Sequence, residues 1–499
     1  MTADAARGED EPTPKDDEAL IQRGLAWSTA ATALTRAGNF LVGIAVARIV
    51  APEQFGVMAA ALVVHGVIQS ANDLGVTMWI MRTPTTDPRQ LPTLNVIAVG
   101  FATFATLAMA GTAPWIAKAL GAPDATSAIR ILSLTVLIGG FSAVPTALLF
   151  RDLRQDRRFI ADVGTFISAS VTVIWFVSSG MGADGIAWSR VIGLAVGTAM
   201  YMIFARYFMR IGFQTDIAAM ILRFSIPLVA ANMITLAIAN VDYVVVGRAL
   251  GTVSLGYYAL AMNVAGWPST IIMSVLQTIV VPATGRFRSN PGLLRTQLVR
   301  GLGFLFFVVL PVSAMLVVLA APLVLFLYGQ EWTPATGVVA ILGLAGIWRI
   351  SITVLSDVIT AMGATGTLFL VKIGWFILVI PLLVVGVSVA GLEGVAGVQT
   401  LVMAFIVTPA LLLVLRALGA LDLRALVKTL TPLVVAVIPA ALVAMVVGDA
   451  IAVPWLAVIA GGLAGALAYA VMIGLEFLIF RRTQGGWWQA YVSRAPASW

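Results

Sequence analysis

Apolar runs of about 20 residues recur along this sequence from one end to the other, separated by short polar turns. A helix of that length crosses ~30 Å of hydrocarbon. Lipid offers no hydrogen bonds to a backbone, so such runs must satisfy their own N–H and C=O groups and fold as helices. Hydrophobic residues make up 60% of the 499 and charged residues only 11%, a balance foreign to a soluble domain. The chain therefore reads as an all-α integral membrane protein.

The runs place spans near 24–47, 55–81, 92–112, 128–150, 159–179 and 185–207, then near 222–248, 256–281, 298–320, 335–361, 368–388 and 395–416, with two more near 428–447 and 455–480. That is about fourteen transmembrane helices. Residues 1–20 are polar, acidic and proline-containing, the composition of a disordered tail. The domains expected are this tail, an N-lobe at 21–216, a C-lobe at 217–416, helices 13–14 at 417–480, and a second tail at 481–499. Numbering the loops alternately, 23 of the 30 lysines and arginines fall on the side of the two termini. Only Arg48, Lys118 and Arg248 fall on the other. The basic side is expected to be cytoplasmic, with the protein in a bacterial inner membrane and both termini inside. The net charge of +7 thus reads as topology signals and lipid-headgroup anchors, not as a nucleic-acid surface.

The two lobes echo each other. Residues 47–60 (ARIVAPEQFGVMAA) align with 247–260 (GRALGTVSLGYYAL), placing Arg48 on Arg248 and Gly56 on Gly256. Later the offset drifts: Ala113-Pro114-Trp115 with Gly121 matches Ala321-Pro322-Leu323 with Gly329, and 182–187 (GADGIA) matches 391–396 (GLEGVA). Six helices per lobe is an even number, so both copies insert the same way up. The expected architecture is a parallel pseudo-repeat of two six-helix lobes, with a shared site near the midplane, plus two C-terminal helices.

Four arginines remain: Arg36, Arg130, Arg190 and Arg349. A guanidinium inside a span costs ~2.5–3.5 kcal/mol on insertion scales. Arg130 and Arg190 lie close enough to helix ends to snorkel, or to pair with Asp162, Asp184 or Asp357. Arg36 lies deeper, with Thr32, Thr35 and Asn39 on one polar face. The seventh helix repeats this with Asn232 and Thr235, the images of Thr32 and Thr35, and adds Asp242. The second helix carries His65, Gln69, Asn72 and Asp73, and the eighth carries Asn263. Such faces either bond helix to helix or line a hydrophilic cavity. We read Arg36, Thr35, Asn39, Asn72, Asn232, Thr235, Asn263 and Arg349 as cavity residues for an anionic, sugar-bearing substrate. Asp73, Asp242 and Asp357 read either as coupling carboxylates or as ion-pair partners. Pro145, Pro227, Pro268, Pro311 and Pro381 are expected to kink their helices.

Cysteine is absent and His65 is the only histidine, which excludes thiolate and multi-histidine metal centres. No nucleotide-binding loop is present, and no cofactor or catalytic residue is expected.

The run 38–57 (GNFLVGIAVARIVAPEQFGV) with 72–75 (NDLG) resembles the N-terminal signature of bacterial polysaccharide exporters. The second-lobe stretches 223–227 (RFSIP), 240–242 (NVD), 247–251 (GRALG), 255–258 (LGYY) and 328–335 (YGQEWTPA) have the same look. Together, over about residues 21–420, they resemble the oligosaccharide-lipid flippases of the multidrug/oligosaccharidyl-lipid/polysaccharide exporter superfamily, in the colanic-acid and O-antigen branch. The resemblance implies a two-lobed, V-shaped fold working by alternating access. Its implied substrate is an oligosaccharide on a polyprenyl diphosphate, moved from the cytoplasmic to the outer leaflet. Implied partners are membrane lipids and the polymerase and glycosyltransferases of surface-polysaccharide synthesis. The rival readings are a drug–cation antiporter of the same superfamily, a membrane glycan ligase or polymerase, and a scaffold. The first needs an acidic cavity, the second needs large loops with catalytic carboxylates or histidines, and the third leaves the buried arginines unexplained.

Overall fold

The computed structural model describes residues 27, 34–71, 76–82, 90–152, 154–207, 211–287 and 291–482. Thr32, Asn72, Asp73 and the tail 1–20 lie outside the described residues. The described residues are almost entirely helical. Helix α1 covers 34–49. It is followed by α2 (Pro52–Gln69), α3 (Val76–Arg82), α4 (Leu91–Ala119), α5 (Ala125–Arg151), α6 (Gln155–Ser178), α7 (Gly182–Ala205) and α8 (Thr215–Ala239). Then come α9 (Val241–Phe287), α10 (Pro291–Val318), α11 (Ala320–Tyr328), α12 (Thr336–Ala361), α13 (Thr365–Val402), α14 (Thr408–Ala417), α15 (Leu423–Asp449) and α16 (Pro454–Arg482). Ten candidate spans among the described residues are long and apolar enough to cross a membrane.

Two of the long helices are broken by backbone that is not helical. Gly251 breaks α9 (φ 80°, ψ −178°). Ala390 (φ −140°, ψ 23°) and Gly391 (φ 55°, ψ −129°) break α13, between the spans expected at 368–388 and 395–416. With α2 and α3 taken as one span, α8 joined by α9 up to Gly251, the short α11 taken as part of the connection after α10, and α13 divided at Gly391 with its second half continuing into α14, the expected fourteen helices are accounted for. Pro145, Pro311 and Pro381 each lie inside a helix. A large set of apolar side chains is exposed, among them Trp115, Trp175, Phe369, Phe405 and Leu463. Lipid is the solvent for such faces, and the protein is a multi-pass membrane protein.

The chain divides into two compact units, Met1–Arg248 and Ala249–Trp499. In the first, α2 packs against α5, α7 and α8, α4 against α5, and α6 against α7. Val76, Ile80, Leu94, Ala98, Val144, Ala147 and Ile221 close one core between α3, α4, α5 and α8. In the second, α12 packs against α10 and α13, and α10 against α15, which pairs with α16. Asp422 caps α15, its carboxylate accepting from the Arg424 and Ala425 amides at 2.9 and 3.2 Å.

The sequence echo is visible in the backbone. Gly121 and its image Gly329 both have positive φ (73° and 93°), and so do Gly182 and its image Gly391 (52° and 55°). Ala51, the image of Gly251, is extended (φ −62°, ψ 151°) and separates α1 from α2. The acids of the second echo sit alike too. Asp184, on the first turn of α7, accepts from the Ser127 hydroxyl on the first turn of α5 at 2.7 Å. Its image Glu393 lies against Gly337, on the first turn of α12, closely enough that a methyl there would meet Oε1 at 2.1 Å. In each unit one carboxylate thus lies beside a second helix start.

Candidate functional site

In the first unit α1 presents Arg36 and Asn39 as exposed side chains with Thr35 half-buried beside them. On α8, Asn232 and Thr235 are also exposed, three residues apart and so on one face. Thr35, Arg36 and Thr235 all have partners. Asp242 is buried, 1% exposed. It is the second residue of α9, and its Oδ1 accepts from the Tyr243 amide at 3.0 Å. The carboxylate is thereby placed against the positive end of a helix dipole.

The first unit also joins two polar side chains across α2 and α5. His65 on α2 lies with Nε2 2.7 Å from the Thr135 hydroxyl on α5. That hydroxyl donates to the Leu132 carbonyl at 2.5 Å. A hydroxyl has one proton to give, so it accepts from His65, and Nε2 carries the hydrogen. Arg190 on α7 is exposed. It shares the helix face of Ala183, Ala187 and Tyr201, all buried. The acid pairing expected from sequence is not seen among the described residues. Asp162 lies 3.7 Å from Arg158 instead and takes the Tyr201 hydroxyl as well. Asp184 is held by Ser127. Among the described residues no carboxylate pairs with Arg190. Arg130 is exposed, its Nε 3.4 Å from the Ala110 carbonyl.

In the second unit Arg349 is half-buried on α12 and reaches α9, its Nη2 3.4 Å from the Met262 sulfur. The next residue, Asn263, is exposed and turns its amide back onto the Ala259 carbonyl at 2.8 Å. Arg349 and Asn263 therefore lie at one α9–α12 junction. Asp357, two turns along α12, is half-buried and feels the Lys372 ammonium of α13.

The site residues expected from sequence lie on α1 (Arg36, Thr35 and Asn39) and α8 (Asn232 and Thr235) in the first unit, and at the α9–α12 junction (Arg349 with Asn263) in the second. The contact absent from that expectation is the one between His65 and Thr135.

With this geometry in hand, comparison with known proteins is specific. The pattern of the polysaccharide biosynthesis protein family matches residues 45–337. Lipopolysaccharide biosynthesis protein WzxC of Escherichia coli (strain K12) is 25% identical over 380 residues, covering 74% of this chain and 76% of that protein. Succinoglycan biosynthesis transport protein ExoT of Rhizobium meliloti (strain 1021) is 26% identical over 346 residues, 67% of each chain. Among solved structures, lipid II flippase MurJ in an inward closed conformation has a TM-score of 0.74 at 15% identity, covering 91% of this chain and 99% of that one. An inward-facing multidrug resistance MATE family transporter of the MOP superfamily has a TM-score of 0.58 at 17% identity, covering 77% and 95%. At these identities the structures establish the fold. The matched pattern spans more than half of the sequence, and the chain belongs to the polysaccharide biosynthesis protein family.

Proposed function

We propose that this protein is a flippase for lipid-linked oligosaccharide, carrying polyprenyl-diphosphate-linked glycan units from the cytoplasmic to the outer leaflet by alternating access. The observation that carries this reading is an all-helical membrane fold shared with a lipid II flippase over 91% of the chain, in a family of polysaccharide biosynthesis proteins. The chemistry is consistent with it. A diphosphate is at least dianionic, and a guanidinium fork binds phosphate oxygens two at a time. Arg36 and Arg349 are the residues assigned to that headgroup. Thr35, Asn39, Asn72, Asn232, Thr235 and Asn263 are assigned to sugar hydroxyls, while the prenyl tail stays in lipid. Asp73, Asp242 and Asp357 are left to coupling or ion pairing, and Asp242 already serves its own helix turn.

On this reading the protein is a transporter and forms no covalent bond with its cargo. It sits in the bacterial inner membrane with both termini cytoplasmic. The lobes 21–216 and 217–416 are its moving halves, and a glycan polymerase and glycosyltransferases are its partners. A drug–cation antiporter would need an acidic cavity, and in this chain arginines compete with the acids of the spans. Proteoliposomes holding the purified protein and a fluorescent lipid-linked oligosaccharide provide the test, with a membrane-impermeant quencher reporting the outer leaflet. Protein-dependent exchange of the labelled lipid between leaflets is expected. Leaflet populations identical to those of empty liposomes would overturn the proposal.

A further inference from the structure

We infer that the second unit holds an anionic phospholipid of the bilayer at the turn between α14 and α15, with the lipid phosphate among Arg295, Arg416, Arg424 and Lys428 and an acyl chain along the exposed stripe of α15. Such a site is independent of what the protein transports.

The local fold gathers the cations. Arg416 ends α14, Arg424 opens α15, and Lys428 follows one turn later. The turn between the two helices is tight. Gly419, at φ 70°, donates its N–H to the Arg416 carbonyl at 3.0 Å, and Ala420 donates to the Leu415 carbonyl at 2.9 Å. Arg295, near the start of α10, reaches across to this turn, its Nε donating to the Gly419 carbonyl at 2.5 Å. Further along, a Cβ at Gly303 of α10 would meet Thr429 of α15 at 2.7 Å. The two contacts advance together along both helices, so α10 and α15 run side by side in one direction with their starts level.

All four cationic side chains are exposed, and among the described residues none of them forms an ion pair. The acid of the turn, Asp422, spends Oδ1 on the Arg424 and Ala425 amides. The first unit treats the arginines of its α5–α6 turn differently. There Arg151 pairs with Asp152 at 3.1 Å, Arg157 donates to the Phe204 carbonyl at 2.7 Å, and Arg158 lies 3.7 Å from Asp162. A topology signal requires only that cations stay on one side of the membrane. It does not require four of them around one turn, where they repel one another until an outside anion arrives. Guanidinium forks suit a phosphate diester.

The surface next to them suits hydrocarbon. Arg424, Lys428, Thr431, Val435, Ile438 and Leu442 recur every three or four residues, all exposed, and form one stripe of α15. Thr431 turns its hydroxyl onto the Val427 carbonyl at 2.8 Å, so the stripe beyond Lys428 is apolar to its neighbours. From Lys428 to Leu442 it runs about 21 Å at 1.5 Å per residue, longer than the ~15 Å half-thickness of the hydrocarbon layer. Cations at one end and a leaflet's depth of apolar surface below them match an anionic lipid, where a free anion would use the first part alone.

The chain has no cysteine, so a single cysteine carries a probe without background. Val435→Cys is labelled with bimane, and Ile377→Cys serves as the reference. Each position is exposed and lies twelve residues beyond the start of its helix, α15 and α13. The full-length proteins go into nanodiscs of phosphatidylcholine with rising fractions of phosphatidylglycerol that bears a doxyl quencher on its chain. Half-maximal quenching at Val435→Cys should need an at least about 5-fold lower fraction than at Ile377→Cys. Arg295→Gln and Arg424→Gln should each cut that enrichment by about 5-fold or abolish it, the worth of one cation near an anionic lipid surface. Salt at ~1 M should also cut it. Arg424→Lys keeps the charge, should keep most of the enrichment, and guards against misfolding of the glutamine variant. Doxyl-phosphatidylcholine should quench both positions alike. Equal half-quenching points for phosphatidylglycerol at the two positions would overturn the site. Enrichment untouched by both glutamine variants would overturn its assignment to these arginines, and equal enrichment of phosphatidylcholine would overturn the anion. Displacement of the quencher by a small fraction of farnesyl diphosphate would overturn the assignment to a bilayer phospholipid and favour the polyprenyl diphosphate instead.

Discussion

The hairpin formed by the two halves of α13 makes a quantitative prediction. Gly386 and Gly394 sit four residues to either side of Ala390, where the helix breaks, and their backbones touch. A Cβ added at Gly394 would lie 1.9 Å from the Gly386 carbonyl oxygen. Ordinary contact begins at 3.4 Å, so the two backbones must part by about 1.5 Å. Flexible side chains cannot absorb that shift, because the atom in the way is main chain. In a membrane, helices gain by packing rather than by expelling water, and small residues permit that packing. Overpacking of this kind costs ~1–3 kcal/mol, and a backbone obstacle argues for the upper half, ~2–3 kcal/mol. Gly397, three residues on, provides the control, since a Cβ there meets nothing within 4 Å. Alanine at Gly397 should cost nothing and gain up to ~1 kcal/mol of helix propensity. Equilibrium unfolding in mixed detergent micelles, followed by circular dichroism, should separate Gly394→Ala from Gly397→Ala by ~2–4 kcal/mol. Equal stability of the two variants would refute the close approach.

Other outcomes follow from single contacts. Trp332 is fully buried, with ring centroids of Tyr257 and Tyr328 at 6.0 and 6.3 Å, so Trp332→Ala should lose ~3–5 kcal/mol in the same unfolding assay. Removing the Asp184–Ser127 bond by either alanine substitution should cost about 1 kcal/mol. A double-mutant cycle should return a coupling of similar size, and zero coupling would show that the bond contributes nothing. Arg36→Ala should insert and fold yet lose lipid transport in proteoliposomes, with Arg36→Lys partly active. Wild-type transport from Arg36→Ala would remove that residue from the mechanism.

The fold was largely legible because its determinants are local. A run of about 20 apolar residues has one outcome in lipid, and the breaks between runs carry glycine where the backbone needs positive φ, as at Gly182, Gly329 and Gly391. The repeat was legible for the same reason: Gly121 and Gly329 keep their residue type because each turn demands it. The site was less so. A sequence gives the face of a helix on which a residue lies, not the neighbour which that face meets. Arg190 lies eight residues from the start of α7 among buried residues of its own helix, yet it is exposed, which the pattern of its neighbours in sequence does not announce. The sequence likewise does not say that α12, which carries Asp357, lies against α13. Asp242 was read as a charge in a span, but the helix restarts one residue before it, and the carboxylate serves the first turn.

The flippase reading is tested most directly by assigning the leaflet of lipid-linked oligosaccharide in a deletion strain, with a membrane-impermeant lectin applied to spheroplasts. Lectin-inaccessible glycan lipid should accumulate in the strain lacking this protein and become accessible when the intact gene is restored. Normal lectin access in the deletion strain, with glycan left unpolymerised or unlinked, would contradict transport and point to a ligase or polymerase.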